Sequence, residues 1–321
     1  DDYAVKIQNG NGHVIKNCVL RNCKQGVWVH SANNDSDMQV ENIVIKQNNF
    51  ENVAGHGVYL QGTTGCLVEN NSFTDCGDGV MVAWNSSGNT INDNDFLNCE
   101  NGCAFTKQPA ENTVSNNRYQ DCNYGILIED GSPRIIENSF TSMGEFAIYG
   151  VLKNTISDNE LSDVTNGIIG YVTDDISVRN NVVSCHGFSA MAFEVSGNAK
   201  LTMENNIIDH TGITPALGIL GGGAVSLFNF VINTTTAAIR VENSTGVRII
   251  DSRISGDLFA SKGTVTITGT DGIELENVNI TGGDGLCQIR NSQNIKISSV
   301  DMFSGGGDGL QLVNSTDIIL I

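Results

Sequence analysis

The sequence predicts an all-β solenoid, with three short parallel strands per turn and each turn stacked on the last. Three observations carry this. First, the stretch Gly79–Cys122 states one pattern twice. Gly79 answers to Gly102, Ile91 to Val114, Asn94 to Asn117, Phe96 to Tyr119 and Cys99 to Cys122, each pair 23 residues apart. A strict period of this size marks a repeat architecture. Second, a column of asparagines recurs at Asn48, Asn71, Asn94, Asn117, Asn138, Asn159, Asn180 and Asn205. Each precedes by two a large apolar residue, from Phe50 and Phe73 to Val182 and Ile207. Stacked turns would bring these amides about 4.8 Å apart, so each can bond its neighbour and the bend backbone. Third, apolar and polar residues alternate within short segments, and no helical period appears. Together these describe a single-stranded right-handed parallel β-helix of about fourteen coils with an asparagine ladder. At one strand spacing per coil it would be very roughly 65 Å long.

The coils follow in order. The first spans Ala4 to Cys23 and the second Gly26 to Val53, with an insertion at Ser31–Asp37. Further coils open at Gly57, Gly79, Gly102, Gly125, Ala147, Gly167 and Ser189. Regular coils cover 4–210, an irregular coil 211–237, and coils resume over 238–321, all read as one domain. The chain stops in the apolar run Ile318–Ile321, which we read as part of a longer chain. A second column, Cys23, Val53, Cys76, Cys99, Cys122, Met143, Val164 and Cys185, mixes thiols with apolar residues and should face inward. No CxxC pair suggests zinc, and neighbouring thiols of one column point the same way, which is poor disulfide geometry.

Composition excludes several function classes. Lys and Arg number 17 against 36 Asp and Glu, a net charge of -19. A phosphate backbone calls for a basic face, so nucleic acid is not the partner. No run of about 18 apolar residues offers a membrane span. No cofactor is implied. Ca²⁺ would suit the acidic balance, but no dense Asp/Glu loop of the calcium-binding kind is present.

The G-[VI]-x-[VILF] openings and Asn-x-[Phe/Tyr] closings resemble the PbH1 repeats of the pectate-lyase-like superfamily, across nearly the whole chain. The resemblance implies the fold and a secreted or cell-surface protein that meets polysaccharide on the face of the first strands. It does not select an activity, because the fold hosts lyases, hydrolases, epimerases and non-catalytic modules. Gly55-His56-Gly57 resembles the Gly-His-Gly of polygalacturonases, but the Asp-Asp that accompanies it there is missing. The Asp-Pro-His-Glu motif of alginate epimerases is also absent.

The outward columns of the first strands hold the candidate residues. One column reads Trp28, Tyr59, Met81, Ala104, Leu127, Tyr149, Ile169 and Met191. The next reads His30, Gln61, Ala83, Thr106, Glu129, Val151, Tyr171 and Phe193. Aromatic plates at Trp28, Tyr59, Trp84, Tyr149 and Tyr171, with His30, suit sugar binding; the bland alternative is a covering flap or a second subunit in a homo-oligomer. Trp84, Lys107 and Asp130 share a position on three successive coils, with Glu129 beside Asp130. Hydrolysis needs two carboxyl groups about 5 to 9.5 Å apart. Adjacent Glu129 and Asp130 should diverge, which makes Asp78 a candidate second acid. A lyase or epimerase would instead use Tyr59 or His56 as base, with Lys107 or His30 neutralising a uronate. The bland reading of the Lys107 cluster is a surface Lys107–Asp130 ion pair; that of His56 is a turn residue beside Asp78. The function this supports is an extracellular protein that cleaves or epimerises polysaccharide. The alternative is a non-catalytic module of a surface, adhesin or NosD-like accessory protein.

Overall fold

The computed structural model describes residues 3–31, 40–256, 263–283, 285–304 and 307–321. Apart from Ser31, the insertion expected at Ser31–Asp37 lies outside them. The chain packs as two compact units, Asp1–Val164 and Thr165–Ile321. The described residues form strands, bends and turns with no helix, so none is long and apolar enough to cross a membrane.

In the first unit the opening strands stack in parallel in the order Tyr3–Gln8, Gln25–His30, His56–Gln61, Asp78–Ala83, Asn101–Thr106, Tyr124–Ile128 and Phe146–Leu152. Their register is unshifted from coil to coil: Val58 lies beside Val80, then Cys103, Ile126 and Ile148. All five are fully buried, and the residues between them face out. The second and third strands of each coil form a second parallel sheet. This is the right-handed β-helix expected.

Two interior columns hold the coils together. Phe50, Phe73, Phe96, Tyr119 and Phe140 stack with centroids 4.7, 4.9, 4.8 and 4.7 Å apart and planes within 8°. Such contacts are worth about 0.5–1.5 kcal/mol each beyond burial. The stack also explains the opening glycines. A Cβ on Gly79 would sit 2.4 Å from the Phe96 ring, and one on Gly102 2.3 Å from Tyr119. The asparagine ladder runs unbroken from Asn48 to Asn159. Asn71, for example, donates from Nδ2 to Asn94 Oδ1 at 3.0 Å and to the Ile45 carbonyl at 2.9 Å. A second, two-rung ladder, Asn89 over Asn112, was not anticipated. Its rungs sit before the second strand, each two residues ahead of a buried apolar residue, Ile91 or Val114, the same spacing as in the main ladder.

In the second unit the column slips by one residue. The buried rungs are Asn181 and Asn206, joined by a hydrogen bond from Asn181 Nδ2 to Asn206 Oδ1 of 3.0 Å, not Asn180 and Asn205. Asn180 and Asn205 take left-handed φ of 54° and 55°, the bend that precedes every rung of the first unit too. Val182 and Ile207 accordingly face solvent, while Val183 and Ile208 are buried. An Asn-Asn doublet satisfies the spacing at either residue, and only the bend decides between them. Met191 and Phe193 likewise turn inward, because Met191 pairs with Ile168 and Phe193 with Gly170; Ala192 and Glu194 take the outward places. The loosened stretch 211–237 carries three strands in register, with buried Phe230 standing in the rung position.

All nine cysteines are free. Cys76, Cys99, Cys122 and Cys185 are buried as expected, Cys23 half-buried and Cys18 exposed.

Candidate functional site

On the outward face of the first unit, register aligns Lys6, Trp28, Tyr59, Met81, Ala104, Leu127 and Tyr149 in one column. Lys6 was missed by sequence reasoning, although carrying the pattern back one coil would have found it. At this end the plate is already covered. Trp28 stacks with Tyr3 at 4.5 Å and His30 at 3.7 Å, the Lys6 ammonium lies 4.6 Å from its centroid, and its Nε1 donates to Gln61. His30 is buried, and its pKa is lowered by burial, which disfavours the cation. Burial and the lowered pKa both count against the cation that the lyase reading asked of it.

The next cluster is open. Just past the strands Asp78–Ala83 and Asn101–Thr106, Trp84 and Lys107 occupy equivalent bends. Both are held at left-handed φ, 58° and 60°. Asn and Asp fill most such positions in this chain, as their tolerance of that region requires. A tryptophan there is a strained exception, of the sort that persists where other constraints demand it. Trp84 is 41% exposed, its Nε1 donates to the Tyr59 hydroxyl at 3.1 Å, and the Lys107 ammonium stands 5.7 Å from its ring. Trp84, Asn85, Thr106, Lys107, Gln108, Glu129 and Asp130 line one groove of about 470 Å³. Four of these, Trp84, Lys107, Glu129 and Asp130, are candidates read from spacing, and they line the groove together.

The acids differ from expectation in their partners. Asp130 pairs with Lys153 at 3.6 Å, and Lys107 lies over Trp84 instead of pairing with Asp130. Glu129 accepts from the Thr106 hydroxyl at 2.8 Å. The two carboxyls thus lean toward opposite neighbouring coils while lining the same groove. Lys153, one coil further on, was not singled out from sequence.

Asp78 does not join them. It lies at the far end of its strand, about 16 Å from the groove at the strand rise. Its Oδ2 faces His56 Nδ1 at 2.6 Å and its Oδ1 accepts from Asn101 at 2.6 Å. Asp78 is therefore held by His56 and Asn101 and does not line the groove with Glu129 and Asp130. The His56–Asp78 pair lies at the other end of the strand from Lys107 and Glu129, joined to Trp84 through Tyr59, whose ring is 5.0 Å from the His56 ring and whose hydroxyl accepts from Trp84. Tyr59 is a poor base, because burial raises its phenol pKa, only partly opposed by the Trp84 hydrogen bond. Tyr171 belongs to the second unit, and Tyr149 sits one coil beyond the groove. Among the described residues, no group of three His, Cys, Asp or Glu side chains is placed to hold a metal ion.

Comparisons bear on the fold. No curated protein sequence matches the chain. Similar solved structures include the Agl-KA catalytic domain, at 12% identity and TM-score 0.40 over 98% of this chain and 62% of that one. A surface adhesin of Streptococcus pneumoniae, PfbA, matches at 11% identity and TM-score 0.40, over 98% of this chain and 83% of that one. A tailspike double mutant of E. coli bacteriophage HK620, in complex with a pentasaccharide, matches at 12% identity and TM-score 0.44, over 97% and 62%. The chain thus spans under two thirds of two of these three, and likeness at this level carries no chemistry. A family profile described as a right handed beta helix region matches residues 3–152 and 215–321, and the chain belongs to that family.

Proposed function

We propose that this is an extracellular carbohydrate-active protein that binds polysaccharide in the groove of Trp84, Lys107, Glu129 and Asp130 and hydrolyses it there. The observation that carries the reading is the pair of strained, exposed bends at Trp84 and Lys107, set over two carboxylates in one groove. The indole offers a flat apolar plate to a sugar ring, and Lys107 donates to its hydroxyl oxygens. Glu129 and Asp130, which lean toward opposite coils but line the same groove, would supply the two carboxyl groups of glycoside hydrolysis: one protonates the leaving oxygen, the other attacks the anomeric carbon or activates water. Hydrolysis is favoured over elimination or epimerisation because burial disfavours the Tyr59 phenolate, and His56, the other candidate base, is held by Asp78 at the opposite end of the strand from Lys107.

A second reading is a non-catalytic surface module. The observation behind it is that both carboxyls already have protein partners, Thr106 and Lys153. Reducing-end release from a polysaccharide panel separates the two. Glu129→Gln and Asp130→Asn should each lower the rate at least about 100-fold with binding retained. Binding without release by the unaltered chain would support the module. Release unaffected by either substitution would reject this site.

A further inference from the structure

One aromatic cluster on the same face takes no part in the groove. By register, Asp78, Asn101, Tyr124 and Phe146 share a column at the starts of successive strands. The column is polar for two coils, then aromatic for two. Tyr124 and Phe146 stack at 5.6 Å, Phe146 meets Tyr149 at 4.7 Å, and Tyr124 meets Tyr149 at 6.0 Å. All three are partly solvent-exposed on a face where polar residues would be expected. The cluster is bordered by acid. The Tyr124 hydroxyl donates to Glu145 at 2.5 Å, and Asn123, beside it, donates to Glu100 at 2.9 Å. Glu145 pushes the Tyr124 phenol up to about 12, so it remains an O–H donor.

Between this cluster and Trp84 the face is low. Ala83 and Ala104 are buried, and Met81 and Leu127 are the only larger side chains on that part of the central column. From the coil of Trp84 to that of Tyr149 is three strand spacings, about 14 Å. Tyr124 and Phe146 lie a further strand length of about 16 Å across, in the Asp78 column, so the shallow floor runs diagonally between the two aromatic ends, with the proposed acids at its Trp84 edge.

Resting on the groove reading above, we infer that Tyr124, Phe146 and Tyr149 form a distal saccharide subsite, which holds neutral sugar units of a glycan running diagonally from Trp84 across the coils. The rings supply apolar faces, and Glu145 and Glu100 accept sugar hydroxyls. The same carboxylates repel uronate or sulfate groups, so the occupant is uncharged at this end. Phe146 and Tyr149 hold the distal part of a bound chain, while Trp84 alone serves short fragments.

The test is a titration of neutral cello-, xylo- and malto-oligosaccharides from disaccharide to octasaccharide, alongside uronate-containing ones of matching length. The unaltered chain should bind longer neutral oligomers at least about tenfold more tightly than disaccharides. Phe146→Ala and Tyr149→Ala should remove that gain while leaving disaccharide affinity unchanged. Tyr124→Phe, which keeps the ring, should retain most of it. Length-independent binding that survives both alanine substitutions would overturn the subsite and leave the groove standing. Binding of nothing in the series would overturn both readings. If Tyr149→Ala instead dissociates an oligomer and leaves glycan affinity intact, the cluster is a self-association face and the inference is wrong.

Discussion

The two units are built on the same repeat but hold their coils differently. In the first, six asparagine rungs and five stacked rings run without interruption beneath one face. In the second, Asn181 and Asn206 form a pair of rungs, after which Phe230 and then Ser252 fill the rung position. Ser252 still serves the bend, accepting from Phe230 N at 3.1 Å, but it reaches no side chain of the next coil there. The unit with the more regular interior also carries the groove. A rigid interior can hold strained bends such as Trp84 and Lys107, because their strain is offset by many fixed contacts beneath.

The contrast can be broken most sharply at the ladder. Asn94 accepts from Asn71 N and Nδ2 and donates to Asn117 and to the Val68 and Asn92 carbonyls. Asn94→Ala leaves several buried groups unpaired and should destabilise the first unit by at least about 3 kcal/mol. Ser252→Ala should cost the second about 1 kcal/mol. Hydrogen exchange of the full chain, read separately for each unit, measures both; equal losses would remove the distinction.

The glycines give a smaller difference. A Cβ on Gly79 would meet Phe96 at 2.4 Å and the Gly102 carbonyl at 2.6 Å, so Gly79→Ala should cost about 1–3 kcal/mol. A Cβ on Gly218 meets nothing closer than Ala192 at 3.9 Å, and Gly218→Ala should be neutral or stabilise by about 0.4–1 kcal/mol. Denaturant midpoints that moved alike for the two would refute the role given to the ring stack.

The smallest effect is a pH dependence that His210 gives the second unit. His210 is buried, with Nε2 facing the Phe188 carbonyl at 3.1 Å and Nδ1 the Thr234 hydroxyl at 3.2 Å. Burial lowers its pKa, so the unfolded chain takes up the proton first. Its contribution is thus present above about pH 6.5 and lost as pH falls below that. His210→Gln should flatten this slope in the second unit's exchange rates, and a slope unchanged by the substitution would assign the pH response elsewhere.

The fold was legible because the interior obeys the period. Phe96 over Tyr119 and Asn94 over Asn117 are each 23 residues apart in sequence and one coil apart in space. The rungs at Asn181 and Asn206 were misplaced by one because a doublet fits the spacing twice, and a left-handed bend is not written in spacing. The site was legible in its residues and less so in their partners. Equivalent positions on successive coils predicted that Trp84, Lys107 and Asp130 would meet. That Asp130 pairs with Lys153, and that Asp78 is held by His56 and Asn101, depends on side-chain direction along the axis, which period alone does not specify.

The central claim is that Trp84 and Lys107 are kept in strained bends for binding, not for folding. A Trp84→Asn, Lys107→Asn double variant tests it directly, since Asn adopts this φ more readily. Denaturation and glycan titration on the same preparation should show stability retained or raised by about 1 kcal/mol, with binding lost. Lower stability with glycan binding unchanged would contradict the account.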